Sequence, residues 1–472
     1  MEFVRRSARN MEPPPLVNPE RGVVEVKPAT YSLDALAREP QTLRYLRHYG
    51  LVLITNFREF RLLELRDNAV YPLEKYTLAQ TPEDLWHGTI DPKHDQLLPD
   101  FLRRVMLQKT QLTEPKQVAW LLASYAREAR ARAEDHDLPA FRNVKRALEE
   151  SLGIQFEGDK GEHFFRSTLV QTLFYGIFSA WVLWRHSPRG RARDARFNWR
   201  LSDEFLKVPV LRKLFREVSD PAYLNFIQLT EILELAGDAL NRVQPTLFDI
   251  FRGEEAVAYF YEPFLEAFDP VLRKELGVWY TPRETVHYMV ERIDHLLRNE
   301  LNQPLGLASP AVRILDPCCG TGAYLTSVLN RIHRTLKEQA GDDPAYIASD
   351  LRTAALTRVF GFEIMPAPFV IAHMKIARLL EDAGASLGDQ HRAGVFLTNA
   401  LTGWVPVRHP QTVMYPELEQ EREDSEQIKQ HGTILVILGN PPYNGYAGIA
   451  KIEEERDLTN ALGTRCVFTS DH

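Results

Sequence analysis

Four short apolar segments in the second half of the chain each end in turn-forming residues, and longer helical patterns separate them. They are AVRILDP (Ala311–Pro317), RVFGFEI (Arg358–Ile364), AGVFLTN (Ala393–Asn399) and TILVILGNPPY (Thr433–Tyr443). Strands that alternate with helices are typical of βαβ units, whose strands pair in parallel. The pattern therefore predicts an α/β fold with a parallel sheet over residues 271–472.

The preceding residues, 96–270, carry Leu and Phe at three- and four-residue spacing, which predicts a helical region. Within it, Ser167–Trp184 has no charged residue over a length close to that of a membrane span. Because the segment contains Gln171 and Gly176, we expect a buried core helix. Asp220 and Pro221 predict the start of a helix that continues to Leu240.

Residues 1–95 predict a small α/β domain. GVVEVKP (Gly22–Pro28) and LVLITNF (Leu51–Phe57) have the β-branched and apolar composition of strands. Between them, Ser32 is a candidate helix cap, and Pro40 is suited to the first position of a second helix. The expected organisation is thus three regions, with boundaries near residues 95 and 270.

The chain has 57 Lys and Arg and 64 Asp and Glu, which gives a net charge of −7. The overall charge therefore gives no sign of a nucleic-acid partner. One basic segment, Arg185–Arg200, is a candidate phosphate contact with interleaved aromatic residues, and a solvated loop is the alternative. Three cysteines are too few for a disulfide framework, which favours a reducing, cytoplasmic location.

The loop DPCCGTG (Asp316–Gly322) follows a predicted strand and precedes a predicted helix that begins near Tyr324. Its glycines allow a sharp turn and a close backbone approach to a ligand. Glu363 ends the next strand, where a carboxylate can accept hydrogen bonds from both hydroxyls of a ribose. Together, the two motifs predict a site for an adenosine-type ligand.

The motif NPPY (Asn440–Tyr443) ends the last predicted strand. Its prolines fix the backbone, so the Asn440 side-chain oxygen and the Pro441 carbonyl can both accept hydrogen bonds from one planar amine. Tyr443 can stack on the ring that bears this amine. The motif predicts a pocket for a flat heterocycle with an exocyclic amine, such as a base taken out of its stack.

These motifs, with VWYTPRETVHYMV (Val278–Val290) and LTNALTGW (Leu397–Trp404), occur in an order that resembles the gamma group of adenine-specific DNA methyltransferases. The chain is most similar to the methyltransferase part of bifunctional restriction–modification enzymes. The resemblance implies a Rossmann-like sheet, S-adenosylmethionine as cofactor, and methyl transfer to adenine in double-stranded DNA without a metal. The implied cofactor-binding residues are Tyr280, Thr281, Pro282, Asp316, Gly320, Gly322, Glu363 and Asn399, and the implied catalytic residues are Asn440, Pro441, Pro442 and Tyr443.

The first region also resembles a PD-(D/E)XK nuclease. Glu25 and Lys27 would lie on the same side of one strand, and Gln41 and Tyr45 are four residues apart on a helix. In such nucleases carboxylates hold Mg²⁺, but here no Asp precedes Asp34, so the expected site is incomplete and Mg²⁺ is needed only if it is active. An exposed strand with alternating charges is the alternative interpretation.

Only twenty-nine residues follow Tyr443, fewer than the remaining strands and a target-recognition domain require. We therefore expect a truncated chain, with a separate specificity or C-terminal subunit as a candidate partner and no membrane association. Two other functions stay open. One is an inactive remnant that binds cofactor or DNA, and the other is a methyltransferase for a glutamine amide or an RNA base.

Overall fold

A computed structural model describes residues 22–88, 90–134, 136, 139–152, 156, 158–192, 194–206, 208–252, 260–270, 281–340, 343–388, 391–404 and 416–441. The chain divides into two compact units, Met1–Gln111 and Leu112–His472. The finer division at residues 95 and 270 stays a prediction.

The N-terminal unit is a small α/β structure, as the sequence predicts. Its elements are β1 (Val23–Val26), α1 (Leu33–Arg38), α2 (Pro40–Tyr49), β2 (Leu51–Thr55), β3 (Glu59–Arg66), β4 (Ala69–Thr77), α3 (Pro82–His87) and α4 (His94–Met106). The sheet order is β1-β2-β3-β4, in which β1 and β2 are parallel and the other pairs antiparallel. Ser32 caps α1 and Pro40 begins α2, which confirms both predictions.

This unit has an apolar core between its sheet and the first two helices. Val52 and Ile54 of β2 pack with Leu36 and Leu46, and all four side chains are almost inaccessible to solvent. Their alternation along β2 follows from the strand period of two, which directs every second side chain to the same face. The sheet thereby holds the ends of β1 and β2 side by side.

The helical region begins the second unit. Its elements are α5 (Pro115–Glu134), α6 (Pro139–Leu152), α7 (Gly158–His186), α8 (Ser202–Phe205), α9 (Pro209–Val218), α10 (Pro221–Phe226), α11 (Leu229–Leu240), α12 (Phe248–Arg252) and α13 (Glu262–Phe268). Among the residues that the structure describes, α7 is long and apolar enough to cross a membrane, but 94% of its most apolar segment is buried. The prediction of a core helix around Ser167–Trp184 is confirmed.

The helix predicted to run from Pro221 to Leu240 is in fact two helices. Gln228 adopts a left-handed backbone conformation with φ of 54° and separates α10 from α11. Ile227 and Leu229 on either side of it are both buried. In a continuous helix two residues so spaced would point in opposite directions, so the break allows both side chains to enter the core. Periodicity alone did not reveal this break.

The remaining part of the second unit is a parallel sheet with helices. Its elements are α14 (Arg283–Asn299), β5 (Ile314–Asp316), α15 (Ala323–Ala340), α16 (Pro344–Thr357), β6 (Val359–Glu363), α17 (Pro366–Asp382), β7 (Val395–Leu397), α18 (Pro416–His431) and β8 (Val436–Ile437). The order is β7-β6-β5-β8, and every pair is parallel. Each of the four predicted apolar segments contains one of these strands, so the α/β prediction is confirmed.

The order of the four strands reverses between β5 and β8. The chain first adds strands on one side of β5, and then returns to place β8 on its other side. In open α/β sheets the loops at such a switch point separate, and ligands bind there at the carboxyl ends of the strands. A ligand-binding site is therefore expected at this edge of the sheet.

A buried carboxylate joins three helices of the second unit. Asp269, which follows α13 and is 2% exposed, accepts hydrogen bonds from Arg130 of α5 at 2.6 Å and from Ser167 of α7 at 2.8 Å. His163 of α7 lies 2.9 Å from the same carboxylate. The hydrogen bonds to Asp269 and then Glu134 raise the pKa of His163 to about 9. The cluster is thus charged at neutral pH.

We expect Asp269→Asn to lower the free energy of unfolding by about 3 kcal/mol, because it leaves the half-buried cations Arg130 and His163 without their main buried counter-charge. Urea denaturation of the full chain measures this change. The matched control is Asp382→Asn, whose side chain is 55% exposed and pairs with Arg378 at the surface; its effect should stay below about 1 kcal/mol. Equal effects of the two substitutions would contradict the assignment.

Candidate active site

The predicted ligand-binding residues meet at the carboxyl edge of the parallel sheet. Asp316 ends β5 and Glu363 ends β6. Asn399 follows β7 by two residues, and Asn440 follows β8 by three. Because the strands are parallel neighbours, their carboxyl ends lie along one edge. The fold thereby brings together residues that are up to 124 positions apart in the sequence.

The glycine loop between β5 and α15 needs its glycines for two reasons. Gly320 and Gly322 have φ of 53° and 76°, in the left-handed region that other residues rarely adopt. A Cβ atom at Gly322 would also lie 3.1 Å from the Cβ of Ala372 on α17. The loop therefore packs closely on that helix and turns sharply enough to begin α15 at Ala323.

Glu363 is a buried carboxylate held by backbone amides. The Gly320 amide donates to its Oε2 at 2.9 Å, and the Met365 amide donates to its Oε1 at 2.8 Å. Burial nevertheless raises the pKa of Glu363 to about 7, since the two amides only partly replace the lost hydration. Each carboxylate oxygen accepts more than one hydrogen bond, so both can still accept from ligand hydroxyls.

Asp316 lies beside the segment that leads into NPPY. Its Oδ1 accepts a hydrogen bond from the Cys318 amide at 3.1 Å. A Cβ atom at Gly439 would lie only 2.4 Å from the same oxygen, so the chain after β8 passes Asp316 in direct contact. Burial, and then the charge of Glu363, raise the pKa of Asp316 to about 7. We did not predict the role of Gly439; its place directly before Asn440 is the signal that could have revealed it.

Asn440 of the last predicted motif contacts Thr281, which belongs to the first predicted motif, Val278–Val290. Its Nδ2 donates a hydrogen bond to Thr281 Oγ1 at 3.1 Å, across 159 residues of sequence. Pro282 and Pro441 are exposed neighbours of this pair, and Pro282 directly precedes α14. The other predicted residues of these two motifs, Tyr280, Pro442 and Tyr443, lie outside the described residues.

Asn399 is held by a lysine that the sequence did not indicate. The Asn399 side chain accepts from the Leu401 amide at 3.0 Å, while its backbone carbonyl accepts from Lys429 Nζ at 2.8 Å. Lys429 is 6% exposed, also donates to Thr398 Oγ1 at 2.8 Å, and lies 4.9 Å from the ring centre of Phe362. It comes from α18, a charge-rich helix in which one buried lysine gives no distinct pattern.

Two cysteines lie in the glycine loop. Cys319 is buried, and its Sγ would be 3.0 Å from a Cβ atom at Gly361 of β6. Cys318 is half-buried, and burial, followed by the charges of Glu363 and Asp316, raises the pKa of its thiol to about 12. Burial also raises the pKa of the Cys319 thiol, so both thiols are protonated at neutral pH.

The basic segment Arg185–Arg200 differs from the predicted aromatic-interleaved surface. Its aromatic residues Phe197 and Trp199, and Trp184 just before it, are buried in the core, because they pack among the helices of the second unit. Three of its arginines face carboxylates: Arg189 with Glu204 at 2.7 Å, Arg196 with Asp238 at 3.4 Å and Arg200 with Glu234 at 3.1 Å. The segment therefore offers less unpaired charge to phosphates than its composition indicates.

The nuclease-like residues of the N-terminal unit form two pairs. Lys27 Nζ lies 3.2 Å from Glu25 Oε1 and 3.7 Å from Glu39 Oε2, and the Gln41 amide donates to the Tyr45 hydroxyl at 2.8 Å. Glu25 is buried. Within the described ranges, no three His, Cys, Asp or Glu side chains are grouped to hold a metal ion. Glu25 thus contacts Lys27, and Gln41 contacts Tyr45, as their spacing in the sequence predicts.

A family model matches the part of the chain that contains this site. Residues 252–462 match the family model described as N-6 DNA methylase, which includes every residue of the sheet edge described above. This part of the chain is similar to N-6 DNA methylases, so the resemblance found in the sequence is confirmed. Among curated proteins, no match was found.

The solved structures that match this chain are of larger proteins. The structure of a DrdV–DNA complex is 18% identical with a TM-score of 0.50, and the match covers 93% of this chain and 39% of that chain. A nuclease-deletion mutant of the Type ISP restriction-modification enzyme LlaGI, in complex with a DNA substrate mimic, is 18% identical with a TM-score of 0.46. That match covers 76% of this chain and 27% of the LlaGI chain. The chain thus spans about two fifths of the length of DrdV.

Proposed function

We propose that this protein transfers a methyl group from S-adenosylmethionine to the exocyclic amine of adenine in double-stranded DNA. The hydrogen bond between Asn440 and Thr281 carries the proposal, since it joins the motif predicted to hold the amine to the motif predicted to hold the cofactor. The match to N-6 DNA methylases supports the same reaction. Its setting would be a cytoplasmic restriction–modification system, with a specificity or C-terminal subunit as a candidate partner.

The residues of the sheet edge fit the cofactor. The turn of Gly320 and Gly322 brings backbone close to the ligand position, and the Glu363 carboxylate offers both oxygens to ribose hydroxyls. When bound, S-adenosylmethionine supplies a methyl group on a positively charged sulfur. The Lys429 contact fixes the Asn399 carbonyl, which would border the adenine end of the site.

Asn440 would orient the target amine. With its Nδ2 directed to Thr281, the side-chain oxygen Oδ1 is the acceptor that, with the Pro441 carbonyl, receives the two N–H groups of the amine. Two acceptors outside the ring plane favour a tetrahedral nitrogen, whose lone pair is then available for attack. Orientation of the reacting groups is a large source of rate enhancement, worth up to about 7–11 kcal/mol in ideal cases.

We expect Asn440→Ala to reduce methyl transfer to DNA at least about a hundredfold, since a misplaced amine loses its alignment with the methyl group. Incorporation of labelled methyl groups, followed by nucleoside analysis for N6-methyladenine, measures the effect. Thr281→Val should give a smaller loss, because Asn440 remains but its amide is no longer oriented. Asn299→Ala is the matched control, as its amide bonds only its own helix at His295.

Unchanged activity of Asn440→Ala would contradict the role of the motif. Methyl groups found in protein or RNA instead of DNA would favour the alternative substrates. Loss of activity together with loss of cofactor binding would show that the substitution damages the fold, in which case Thr281→Val decides.

We expect cofactor binding to release protons near pH 7. Hydroxyls that donate to Glu363 favour its ionised form, so its pKa falls from about 7 on binding, and affinity rises as the pH rises through this value. Calorimetry in buffers of different ionisation enthalpy measures the release. Glu363→Gln should weaken binding about ten- to a hundredfold and reduce the release. Glu381→Gln, on exposed α17 surface, should change neither; identical behaviour of the two variants would refute the assignment.

The N-terminal unit would have a nuclease-like fold without an effective Mg²⁺ site. Glu25, the predicted carboxylate, is engaged by Lys27, which also faces Glu39. We therefore expect Lys27→Ala to leave any Mg²⁺-dependent cleavage of DNA unchanged, as measured on supercoiled plasmid. A loss of cleavage in that variant would establish an active nuclease site and overturn this part of the proposal.

A further inference from the structure

The turn between β2 and β3 presents an aromatic side chain to solvent in a strained backbone conformation. Phe57 has φ of 67°, in the left-handed region, and is 57% exposed. A bulky residue in this region of backbone conformation costs free energy relative to glycine. Backbone strain of this kind is common at functional sites. Exposure of the ring gives no burial to compensate for the strain.

Side-chain hydrogen bonds enforce this conformation. Thr55 Oγ1 accepts from the Phe57 amide at 3.0 Å and donates to the Glu59 carbonyl at 2.8 Å. Asn56 Oδ1 accepts from the amides of Arg58 and Glu59 at 3.1 and 2.9 Å. These hydrogen bonds support the turn in the conformation that leaves the Phe57 side chain exposed.

Arg58, the next residue in the chain, adds a positive charge that is held in place. Its Nε donates to the Ala29 carbonyl at 2.7 Å, and its NH1 donates to the Gln80 carbonyl. No carboxylate pairs with Arg58 among the residues that the structure describes. The adjacent Glu59 faces Arg61 instead, at 3.2 Å. Because two neutral carbonyls hold the guanidinium, its charge and its remaining N–H groups stay available to an anion.

The turn lies at the end of the sheet that carries Glu25 and Lys27. β1 and β2 are parallel, and the Lys27 amide donates to the Thr55 carbonyl at 2.9 Å. Asn56 also donates to the Tyr31 carbonyl at 2.8 Å, and Tyr31 as a residue is 36% exposed. Two exposed aromatic residues and an uncompensated arginine thus occupy one end of this sheet.

We propose that Phe57 and Arg58 form a contact site for single-stranded DNA, in which the ring stacks on an unpaired base and the guanidinium binds the adjacent phosphate. Aromatic rings and positive charges side by side are the usual means of binding single strands, because every base offers a flat face and every linkage a phosphate. The site is independent of methyl transfer, and its test needs no cofactor.

The first test is binding of a short labelled single-stranded oligonucleotide to the full chain, followed by fluorescence anisotropy. Phe57→Ala should weaken binding about five- to a hundredfold, the range expected for loss of one stacked base. Phe57→Trp should restore it. Trp86→Ala is the matched control, since Trp86 is 66% exposed on α3 and should not contribute. Equal binding of Phe57→Ala and the parent protein would overturn the proposal.

Salt dependence separates the two contacts. Arg58→Gln should lower the slope of log affinity against log salt by about 0.7, the value for one phosphate contact on a single strand. Phe57→Ala should weaken binding with the slope unchanged. An Arg58→Gln slope equal to that of the parent protein would exclude the phosphate contact.

A glycine substitution separates binding from folding. Phe57→Gly removes the ring and relieves the left-handed strain, so we expect a higher melting temperature together with weaker binding. A lower melting temperature would assign Phe57 a structural role and overturn the proposal. Photocrosslinking of an oligonucleotide that carries 5-iodouracil should identify the peptide containing Phe57. Two other results would also overturn the proposal. One is crosslinking confined to the second unit, and the other is displacement of the labelled oligonucleotide by an acidic peptide but not by unlabelled DNA.

Discussion

The buried carboxylates at the ends of β5 and β6 determine the arrangement of the sheet edge. Glu363 is held by amides from its own turn and from the glycine loop, while Asp316 contacts the chain that enters the NPPY motif. Carboxylates without water are costly unless neighbouring amides solvate them, so the loops must follow the paths that supply those amides. Gly320, Gly322 and Gly439 make these paths sterically accessible. The loops of three strands are thereby fixed relative to one another.

The strands and the glycine loop of this edge could be predicted from the sequence because their signals are local. The apolar segments, Ser32, Pro40 and the glycine loop depend on near neighbours in the chain, and the structure places elements where they were expected. Asp316, Glu363, Asn399 and Asn440 lie along one edge because parallel strands bring their carboxyl ends together. Lys429 was missed for the opposite reason: its burial depends on Phe362 and Thr398, which are far away in sequence.

Tertiary packing also explains the other differences from the sequence-based expectations. Gln228 interrupts a periodic segment because Ile227 and Leu229 both enter the core, and no local signal marks that requirement. For Arg185–Arg200 the sequence left open a phosphate contact with interleaved aromatic residues or a solvated loop, yet these aromatic residues complete the helical core. In contrast, the composition of the segment around Arg58 does not indicate that its charge lacks a carboxylate partner among the described residues. A residue's partners, rather than its type, decide whether its charge is available.

The thiols of the glycine loop have a consequence for the chemistry proposed at this edge. A thiolate is a far better nucleophile than an aromatic amine, and one placed beside an activated methyl donor would compete for the methyl group. Burial and the adjacent carboxylates raise the pKa of Cys318 to about 12, and that of Cys319 is also raised. The environment that desolvates Glu363 thus keeps both sulfur atoms protonated, which would protect the protein from alkylating itself.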